Sequence, residues 1–262
     1  MNPVIVCIAK LESDYIVEFV KYHLKLGFTK IYIYDNEDIP TYENLLYNYK
    51  DYIVVNHLPF NNYCVGVQYI ALAHFAETYI PKSNITHIAH LDIDEFIVLK
   101  KHKHISDFIN EYIVDDCQGI GINWRFFGSS GKTEKSNEPV TIRFTMCEEK
   151  GNEHIKTIFS KTYFKNWFTC HDVKLSYGYI KSTNGSIIDG PLNYDIDLSI
   201  IQLNHYKSKT LQEFKYIRTR HRADLTQDHI YQNEDVEENF NLYNKNEIQE
   251  LTAYNFSLEN NI

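Results

Sequence analysis

Short apolar runs alternate with stretches of helical spacing over the first hundred residues of the chain. The runs of strand length lie at 4–9, 31–34, 53–55 and 87–99. The stretches of helical spacing between them lie at 14–26, 41–49 and 67–79. Ser13 is the expected N-cap of the first helix, and Gly27 is its expected end. This β-α-β order predicts an α/β fold in which a mostly parallel central sheet has helices on both faces.

The second half of the chain has a less regular pattern. A strand is expected at 119–124, and strands that alternate like antiparallel ones are expected at 140–146 and 155–164. A helix with basic residues is expected at 211–222. The acidic, Asn-rich end is expected to form short helices and a loose end. An antiparallel and irregular part is therefore expected to follow the parallel part of the sheet.

Composition narrows the classes of protein to which this chain can belong. Its 262 residues, 44% of them hydrophobic, suffice for one large domain with a sizeable core. The net charge of −9 argues against broad binding to nucleic acids or anionic membranes, which requires clustered Lys and Arg. The five cysteines include no Cys-x-x-Cys pair, so neither a disulfide framework nor a zinc module is expected. No apolar run approaches the roughly 18 residues of a membrane span, so we expect a cytoplasmic protein without a transmembrane segment, with peripheral membrane contact left open.

Three acids, Asp92, Asp94 and Glu95, interrupt the apolar run at 87–99. In an extended segment, side chains two residues apart point to the same side, so Asp92 and Asp94 would be neighbours. Two carboxylates in a mostly buried setting repel each other unless a cation lies between them. Mg²⁺ and Mn²⁺ prefer a few carboxylate ligands together with water and phosphate oxygens. The pair therefore indicates a metal site for a phosphate-bearing substrate; the alternative is an ordinary acidic turn.

Polar residues also follow the first two predicted strands. Lys10 and Glu12 follow the first strand, and Asp35 with Asn36 follows the second. Because ligands bind at the carboxyl ends of parallel strands, these residues and the Asp92/Asp94 pair are expected to form one site.

Several segments, in a fixed order along the chain, resemble the pattern of a known enzyme family. They lie at 7–12, 22–27, 34–36, 91–96, 123–131, 204–209 and 213–222, with Lys156 among them. The pattern is similar to that of glycosyltransferases with the GT-A fold, in the family-2-like group related to glycosyltransferase family 92. The chain departs from the pattern at Leu11, where the family has Asn, and at His221, where it often has Gly.

The resemblance implies a GT-A domain over residues 1–224 and a helical or irregular extension over 225–262. Residues 1–100 would bind the nucleotide sugar, and residues 101–224 would form the acceptor side. The donor would be a nucleotide diphosphate sugar, by preference a UDP-sugar, and the acceptor a glycan or lipid-linked saccharide. A divalent cation, Mn²⁺ or Mg²⁺, would bridge the two phosphates and stabilise the charge of the leaving group.

The resemblance also assigns roles on the donor side. Asp94 is the expected metal ligand, and Asp92 is expected to contact the ribose or a metal-bound water. His205 is the expected third protein contact because imidazole suits Mn²⁺ better than Mg²⁺; the alternative is a structural histidine. The residues expected around the nucleotide and its diphosphate are Ala9, Lys10, Glu12, Asp35, Asp92, Lys209, Arg220 and Arg222. The alternatives are a turn-forming role for Asp35 and a solvated basic helix face for the last three residues.

The acceptor side is expected to contain an aromatic side chain and a tight loop. Aromatic rings stack on the C–H faces of sugars, and glycine lets the backbone approach a ligand. The residues expected there are Trp124, Phe127, Gly128, Ser129 and His171. Asp172 is the expected base for the acceptor hydroxyl. Glu95 is the second candidate base, although its place in the alternation favours locking the loop by hydrogen bonds.

The resulting hypothesis is a metal-dependent, inverting glycosyltransferase that moves a hexose from a nucleotide diphosphate sugar to a glycan hydroxyl. The alternatives are a metal-dependent phosphatase or nucleotidyltransferase and a non-catalytic carbohydrate-binding protein. Release of phosphate from simple phosphomonoesters would favour the first alternative. Ligand binding that survives Asp94→Ala would favour the second.

Overall fold

A computed structural model describes residues 1–59, 66–219 and 235–262 of the chain. The strands are β1 (Pro3–Ala9), β2 (Lys30–Asp35), β3 (Ile53–His57), β4 (His87–His90), β5 (Glu95–Leu99), β6 (Cys117–Phe126), β7 (Met146–Cys147), β8 (Asn152–Ser160), β9 (Phe164–Trp167), β10 (Val173–Leu175), β11 (Tyr179–Lys181), β12 (Ile187–Ile188), β13 (Ile201–His205) and β14 (Ile248–Gln249). The helices are α1 (Ile16–Leu26), α2 (Tyr42–Leu45), α3 (Val67–Thr78), α4 (Ile105–Tyr112), α5 (Val140–Arg143), α6 (Leu211–Ile217), α7 (Val236–Tyr243) and α8 (Thr252–Glu259). Single 3₁₀ turns lie at Tyr47–Tyr49 and Lys161–Tyr163.

In the part of the chain that the structure describes, one ten-stranded mixed sheet forms the centre of the fold. Strands β3, β2, β1 and β4 run parallel to one another. Strand β8 is antiparallel to both β4 and β6, which leaves β4 and β6 pointing the same way. Strand β13 lies parallel to β6 and antiparallel to β5. The predicted α/β class, with a largely parallel sheet followed by an antiparallel part, is confirmed.

Apolar side chains cover both faces of this sheet. Within β1, Ile5 and Cys7 pack into a cluster with residues of α1 and α4, whereas Val4 and Val6 pack into a second cluster with α3. A strand buried on both faces reads as a continuous apolar run, as β1 does. None of the helices in the described ranges combines the length and apolarity needed to cross a bilayer.

The structure differs from the prediction at residues 140–146, where a strand is expected. The segment begins with the helical turn α5, and only β7 at its end is extended. The carboxylate of Glu18 in α1 accepts the backbone N–H groups of Val140 at 2.7 Å and Thr141 at 3.0 Å. Glu18 thus satisfies backbone donors at the start of α5. This contact between distant parts of the chain outweighs the β-propensity of the β-branched residues 140–142.

The start of α1 and the end of the chain also differ from expectation. The residue before α1 is Tyr15, with no side-chain cap, so Ser13 is not the N-cap; Gly27 does end the helix, at a φ of 107°. Residues 252–262 are not a loose end, because α8 packs on α5. In addition, the ring of Phe256 in α8 contacts the ring of Tyr22 in α1, with centroids 4.8 Å apart.

Candidate functional site

The turn between β4 and β5 presents two acids at one edge of the sheet. The parallel strands β1, β2 and β4 all end at this edge, called the rim below. Leu91 and Ile93 are buried, whereas the side chains of Asp92 and Asp94 are 37% and 13% exposed to solvent. The sequence predicts both acids at the end of an extended strand; the structure places them in a turn. The same alternation still holds, with apolar side chains inward and both acids outward.

A buried lysine from β8 lies beneath this turn. Lys156 Nζ is 3.0 Å from Asp92 Oδ2 and 3.6 Å from Glu95 Oε2, and its side chain is 1% exposed. Glu95 is fully buried and accepts the backbone N–H of Asp92 at 2.9 Å through the same Oε2. Gln68 Nε2 of α3 lies 3.4 Å from Asp92 Oδ1. Asp92 is therefore held on several sides by the fold.

Strand β13 brings two further polar side chains to Asp94. His205 pairs with Glu95 in the β13–β5 ladder, and the N–H of Tyr206 donates to the Asp94 carbonyl at 2.8 Å. This register places His205 Nε2 3.5 Å from Asp94 Oδ1. Lys209 Nζ lies 4.0 Å from Asp94 Oδ2. Asp92, Asp94, Lys156, His205 and Lys209 are called the rim cluster below.

Lys209 adopts an uncommon backbone conformation. Its φ is +50°, in the left-handed region that non-glycine residues adopt rarely. Its side chain is nearly buried, and its ammonium lies 4.5 Å from the centre of the Tyr15 ring. Tyr15 in turn donates to Glu213 Oε1 at 2.9 Å, and Glu213 forms a buried ion pair with Arg143 at 2.6 Å. This strained residue is thus fixed by buried contacts, as is common at functional sites.

Lys156 strongly affects the charges of the two acids nearest to it. Burial alone would raise the pKa of Asp92, but the charge of Lys156, its hydrogen bond and the attraction of His90 together outweigh burial and lower the pKa to about 2. Burial raises the pKa of Glu95 well above its usual value, although Lys156 opposes this shift. Lys156 and Asp92 therefore form a charged pair, while burial favours a protonated Glu95 beside them.

His205 lies between the rim acids and a group of rings. Burial lowers the pKa of His205 although Asp94 opposes the shift, so the imidazole is neutral at pH 7. Its ring centroid is 4.5 Å from that of Trp124. Trp124 also stacks on His154 at 5.0 Å and contacts His171 at 5.3 Å. Trp124, His154 and His171 are called the aromatic wall below; the structure thus brings the predicted acceptor residues Trp124 and His171 next to His205.

The polar residues after β1 and β2 have different surroundings. Asp35 is fully buried and accepts three backbone N–H groups from residues 37, 41 and 42, at 2.6–3.1 Å. The turn-forming alternative therefore accounts for both of its carboxylate oxygens. Lys10 pairs with Asp38 at 3.1 Å, Ala9 is buried within β1, and Glu12 is 2% exposed at the start of the α1 turn. The structure gives these four residues structural contacts at the same rim. The predicted nucleotide contacts of Ala9, Lys10 and Glu12 stay predictions, whereas the contacts of Asp35 match its turn-forming alternative.

The loop after β6 does not face an open acceptor cleft. Phe127 is buried against Tyr206, with ring centroids 4.9 Å apart. A Cβ on Gly128 would lie 2.3 Å from the Lys245 carbonyl, so glycine is needed there for the close approach of the chain. The N–H of Ser129 donates to the side chain of Asn244 at 2.7 Å. The prediction that Phe127, Gly128 and Ser129 form the acceptor side is therefore corrected: residues 244–246 cover them.

The two candidate bases are enclosed. Glu95 is 0% exposed, so an acceptor hydroxyl has no direct access to it, and its contacts match the locking role instead. Asp172 is buried, accepts a hydrogen bond from Thr169, and lines a cavity of about 170 Å³ whose lining includes neither Asp92 nor Asp94. The predicted residues Arg220 and Arg222 lie outside the described residues.

Sequence reasoning assigned no role to three side chains of the site. In the sequence Lys156 is one element of the family pattern, and a single lysine within the apolar stretch of β8 is also a signal for a buried ion pair. Gln68 and His154 carried no local signal, since Gln68 is a single polar residue on the buried side of α3 and His154 precedes the apolar part of β8. Both become visible only when the sheet brings β4, β6 and β8 together.

The described residues hold no group of three or more His, Cys, Asp or Glu side chains placed to bind a metal ion. The rim cluster instead contains two close donors, Asp94 and His205, with lysines on either side. This arrangement can bind an anion through its lysines and can offer a carboxylate and a neutral imidazole to a divalent cation.

Comparison with known proteins gives one family match over almost the whole chain. The sequence model of glycosyltransferase family 92 matches residues 2–252. No curated protein is significantly similar to the chain.

Solved structures give weak likenesses. The crystal structure of S. aureus TarS 1–349 shares 12% identity over 83% of this chain and 63% of its own, with a TM-score of 0.41. HddC from Yersinia pseudotuberculosis shares 11% identity over 62% of this chain and 78% of its own, with a TM-score of 0.35. A UDP-glucose pyrophosphorylase complexed with UDP-glucose shares 11% identity over 69% of this chain and 74% of its own, with a TM-score of 0.29. This chain therefore spans 63% of the TarS chain, and TM-scores this low support no argument about function.

Proposed function

Because this chain belongs to glycosyltransferase family 92, whose model matches residues 2–252, we propose that it transfers a hexose from a UDP-sugar to a hydroxyl of a glycan or lipid-linked saccharide. The reaction would invert the anomeric centre and depend on a divalent cation. The observation that supports this proposal is the rim cluster, in which Asp94 lies 3.5 Å from a neutral His205 and 4.0 Å from Lys209. A carboxylate, an imidazole and an ammonium are the groups that a metal-bound diphosphate requires.

The donor set fits Mn²⁺, although as an incomplete site. Metal ions need an ionised carboxylate and a neutral imidazole, and burial keeps His205 neutral. A metal-binding histidine usually donates a hydrogen bond from its other ring nitrogen, but Nδ1 of His205 is buried without a partner among the described residues, so the ring is oriented by its packing on Trp124 and Phe126. Since two protein ligands do not fill an octahedral shell, the diphosphate and water would supply the rest.

Each side chain of the cluster has a distinct part in this proposal. Asp94 and His205 would bind the cation, and Lys209 would turn from Asp94 to the diphosphate oxygens. Asp92, held by Lys156 and partly exposed, would accept a hydrogen bond from the ribose. When bound, the cation supplies Lewis-acid stabilisation of the departing diphosphate.

The acceptor would bind along the aromatic wall, which adjoins His205. Trp124 is mostly buried, and its Nε1 atom has no partner among the described residues, whereas His154 is half-buried and faces outward. Rings at such an edge stack on the C–H face of a sugar. We assign no base, since Glu95 and Asp172 are both enclosed.

Donor turnover tests this proposal. The protein is incubated with a panel of nucleotide sugars, with Mn²⁺ or with EDTA, and the release of nucleoside diphosphate is measured. We expect turnover of a UDP-sugar that requires Mn²⁺ and is lost in Asp94→Asn. No turnover of any donor, or phosphate release from p-nitrophenyl phosphate instead, would overturn the proposal.

A further inference from the structure

Lys156 lies in an environment that is unusual for a lysine. It is on β8, which pairs with β4 on one side and β6 on the other, and its side chain is 1% exposed. An ammonium in such a place is costly unless carboxylates surround it. Asp92 provides this compensation at 3.0 Å, and Glu95 Oε2 lies 3.6 Å from the same ammonium.

The same three residues also hold the turn that contains Asp94. Glu95 Oε2 accepts the Asp92 N–H at 2.9 Å and contacts Lys156, which in turn contacts the Asp92 carboxylate. The charge of Asp92 is therefore already balanced from within the protein. The electrostatic argument for a metal between Asp92 and Asp94 consequently does not apply to Asp92.

We infer that Lys156 is a positioning residue that acts as the internal countercharge of Asp92 and keeps this carboxylate out of the coordination shell of the divalent cation. This inference rests on the proposed function. It has a measurable consequence: within the described residues the rim offers Asp94 and His205 as close donors, so the protein binds Mn²⁺ weakly until a nucleoside diphosphate completes the shell.

Removal of the countercharge should change metal binding in a direction that structural damage does not produce. In Lys156→Met, Asp92 becomes an unbalanced carboxylate beside Asp94, and we expect Mn²⁺ to bind at least about tenfold more tightly without nucleotide. Adding Asp92→Asn to this variant should return the affinity to the wild-type value, because the gain acts through Asp92. A general loosening of the fold would instead weaken binding in both variants.

The experiment titrates Mn²⁺ into the full chain and measures free Mn²⁺ by its EPR signal, with and without UDP. The proteins are wild type, Lys156→Met, Lys156→Met/Asp92→Asn and the control Lys100→Met. Lys100 forms an ion pair with Glu250 at 2.8 Å beyond the other end of β5, so its loss removes an ion pair away from the rim and should leave Mn²⁺ binding unchanged. If Lys156→Met folds poorly, the double variant, in which both charges are removed, still reports whether Mn²⁺ binding survives without Asp92.

The outcomes separate this inference from the proposed function. Tighter Mn²⁺ binding in Lys156→Met that Asp92→Asn reverses supports the inference, as does wild-type-like Mn²⁺ and UDP binding in the double variant. A different result overturns the inference and leaves the proposed function intact: wild type binds Mn²⁺ in the presence of UDP, but Lys156→Met binds Mn²⁺ alone no more tightly than wild type does. Loss of Mn²⁺ binding in the double variant also overturns it, because Asp92 would then be a ligand. A wild type that binds Mn²⁺ in no condition overturns both.

Discussion

Two strand ends of the parallel sheet look alike in sequence but differ in what surrounds their carboxylates. Asp35 ends β2, is fully buried, and accepts backbone N–H groups from residues 37, 41 and 42. Asp94 follows β4, stays partly exposed, and faces the side chains of His205 and Lys209 from a distant part of the chain. Backbone N–H groups therefore occupy both oxygens of the Asp35 carboxylate, whereas titratable side chains lie around the Asp94 carboxylate.

This contrast distinguishes a carboxylate that holds a turn from one that can belong to a binding site. Backbone N–H groups fix a turn, and a ligand could displace them only by breaking local structure. The contacts of Asp94 with His205 and Lys209 are made by side chains, so a ligand could replace them without breaking the backbone hydrogen bonds of a turn. The same contrast separates His23, whose ring contacts the Phe19 carbonyl and the Ile97 N–H, from His205.

The largest expected effect is that of Asp94→Asn. This change removes one charge and one candidate metal ligand at the rim, so donor turnover should fall at least about 100-fold, while the melting temperature stays close to that of wild type. Steady-state turnover of the active nucleotide sugar and thermal unfolding measure the two quantities. Turnover within a few-fold of wild type would remove Asp94 from the site.

His205→Ala should have the next largest effect. Loss of the imidazole should raise the Mn²⁺ concentration needed for half-maximal turnover by about 10-fold to 100-fold, the range found for groups that tune metal sites. The measurement is a Mn²⁺ titration of turnover at saturating donor. An unchanged Mn²⁺ requirement would identify His205 as a structural histidine, like His23.

Asp35→Ala should affect stability rather than binding. The variant leaves the backbone N–H groups of residues 37, 41 and 42 without their acceptor, which should lower the free energy of unfolding by about 1–3 kcal/mol. Urea unfolding measures this loss, and UDP affinity of the folded variant should stay within about twofold of wild type. If UDP binding fell as sharply as in Asp94→Asn, the contrast between the two strand ends would not hold.

The smallest effect is a pH dependence from His23. Burial lowers the pKa of His23 to about 3, although its contact with the Phe19 carbonyl opposes the shift. In the unfolded chain the pKa is about 6.5, so between these values the unfolded state binds more protons. Stability is therefore fully present above about pH 6.5 and falls as the pH drops, by up to about 1.4 kcal/mol per unit.

The variant His23→Phe tests this contribution. Its unfolding free energy should fall less than that of wild type between pH 7 and pH 5.5, in urea titrations at the two values. Equal losses in the two proteins would mean that other groups cause the acid sensitivity.

Much of the fold was predictable because the chain follows local rules. The apolar runs gave β1 to β3, and Gly27 ended α1 as its left-handed backbone requires. The failures occurred where a remote contact decides the local structure. Residues 140–143 form α5 because Glu18 accepts backbone N–H groups at its start, and no local sequence pattern predicts that contact.

The candidate site was predictable in part for the same reason. The break in the apolar run at Asp92 and Asp94 is local, so the sequence located the rim. The partners of these acids are not local: Lys156 is 64 residues from Asp92 in sequence. For this reason the sequence alone predicts a metal ion as the countercharge of Asp92, whereas in the structure Lys156 balances this charge.

The most direct test of the account is the affinity of UDP for the protein, measured by isothermal titration calorimetry with Mn²⁺ and with EDTA. The account predicts that UDP binds wild type at least about tenfold more tightly with Mn²⁺, and that Asp94→Asn abolishes this difference whereas Asp35→Ala keeps it. Equal affinities with Mn²⁺ and EDTA, or a metal effect that survives Asp94→Asn, would contradict it.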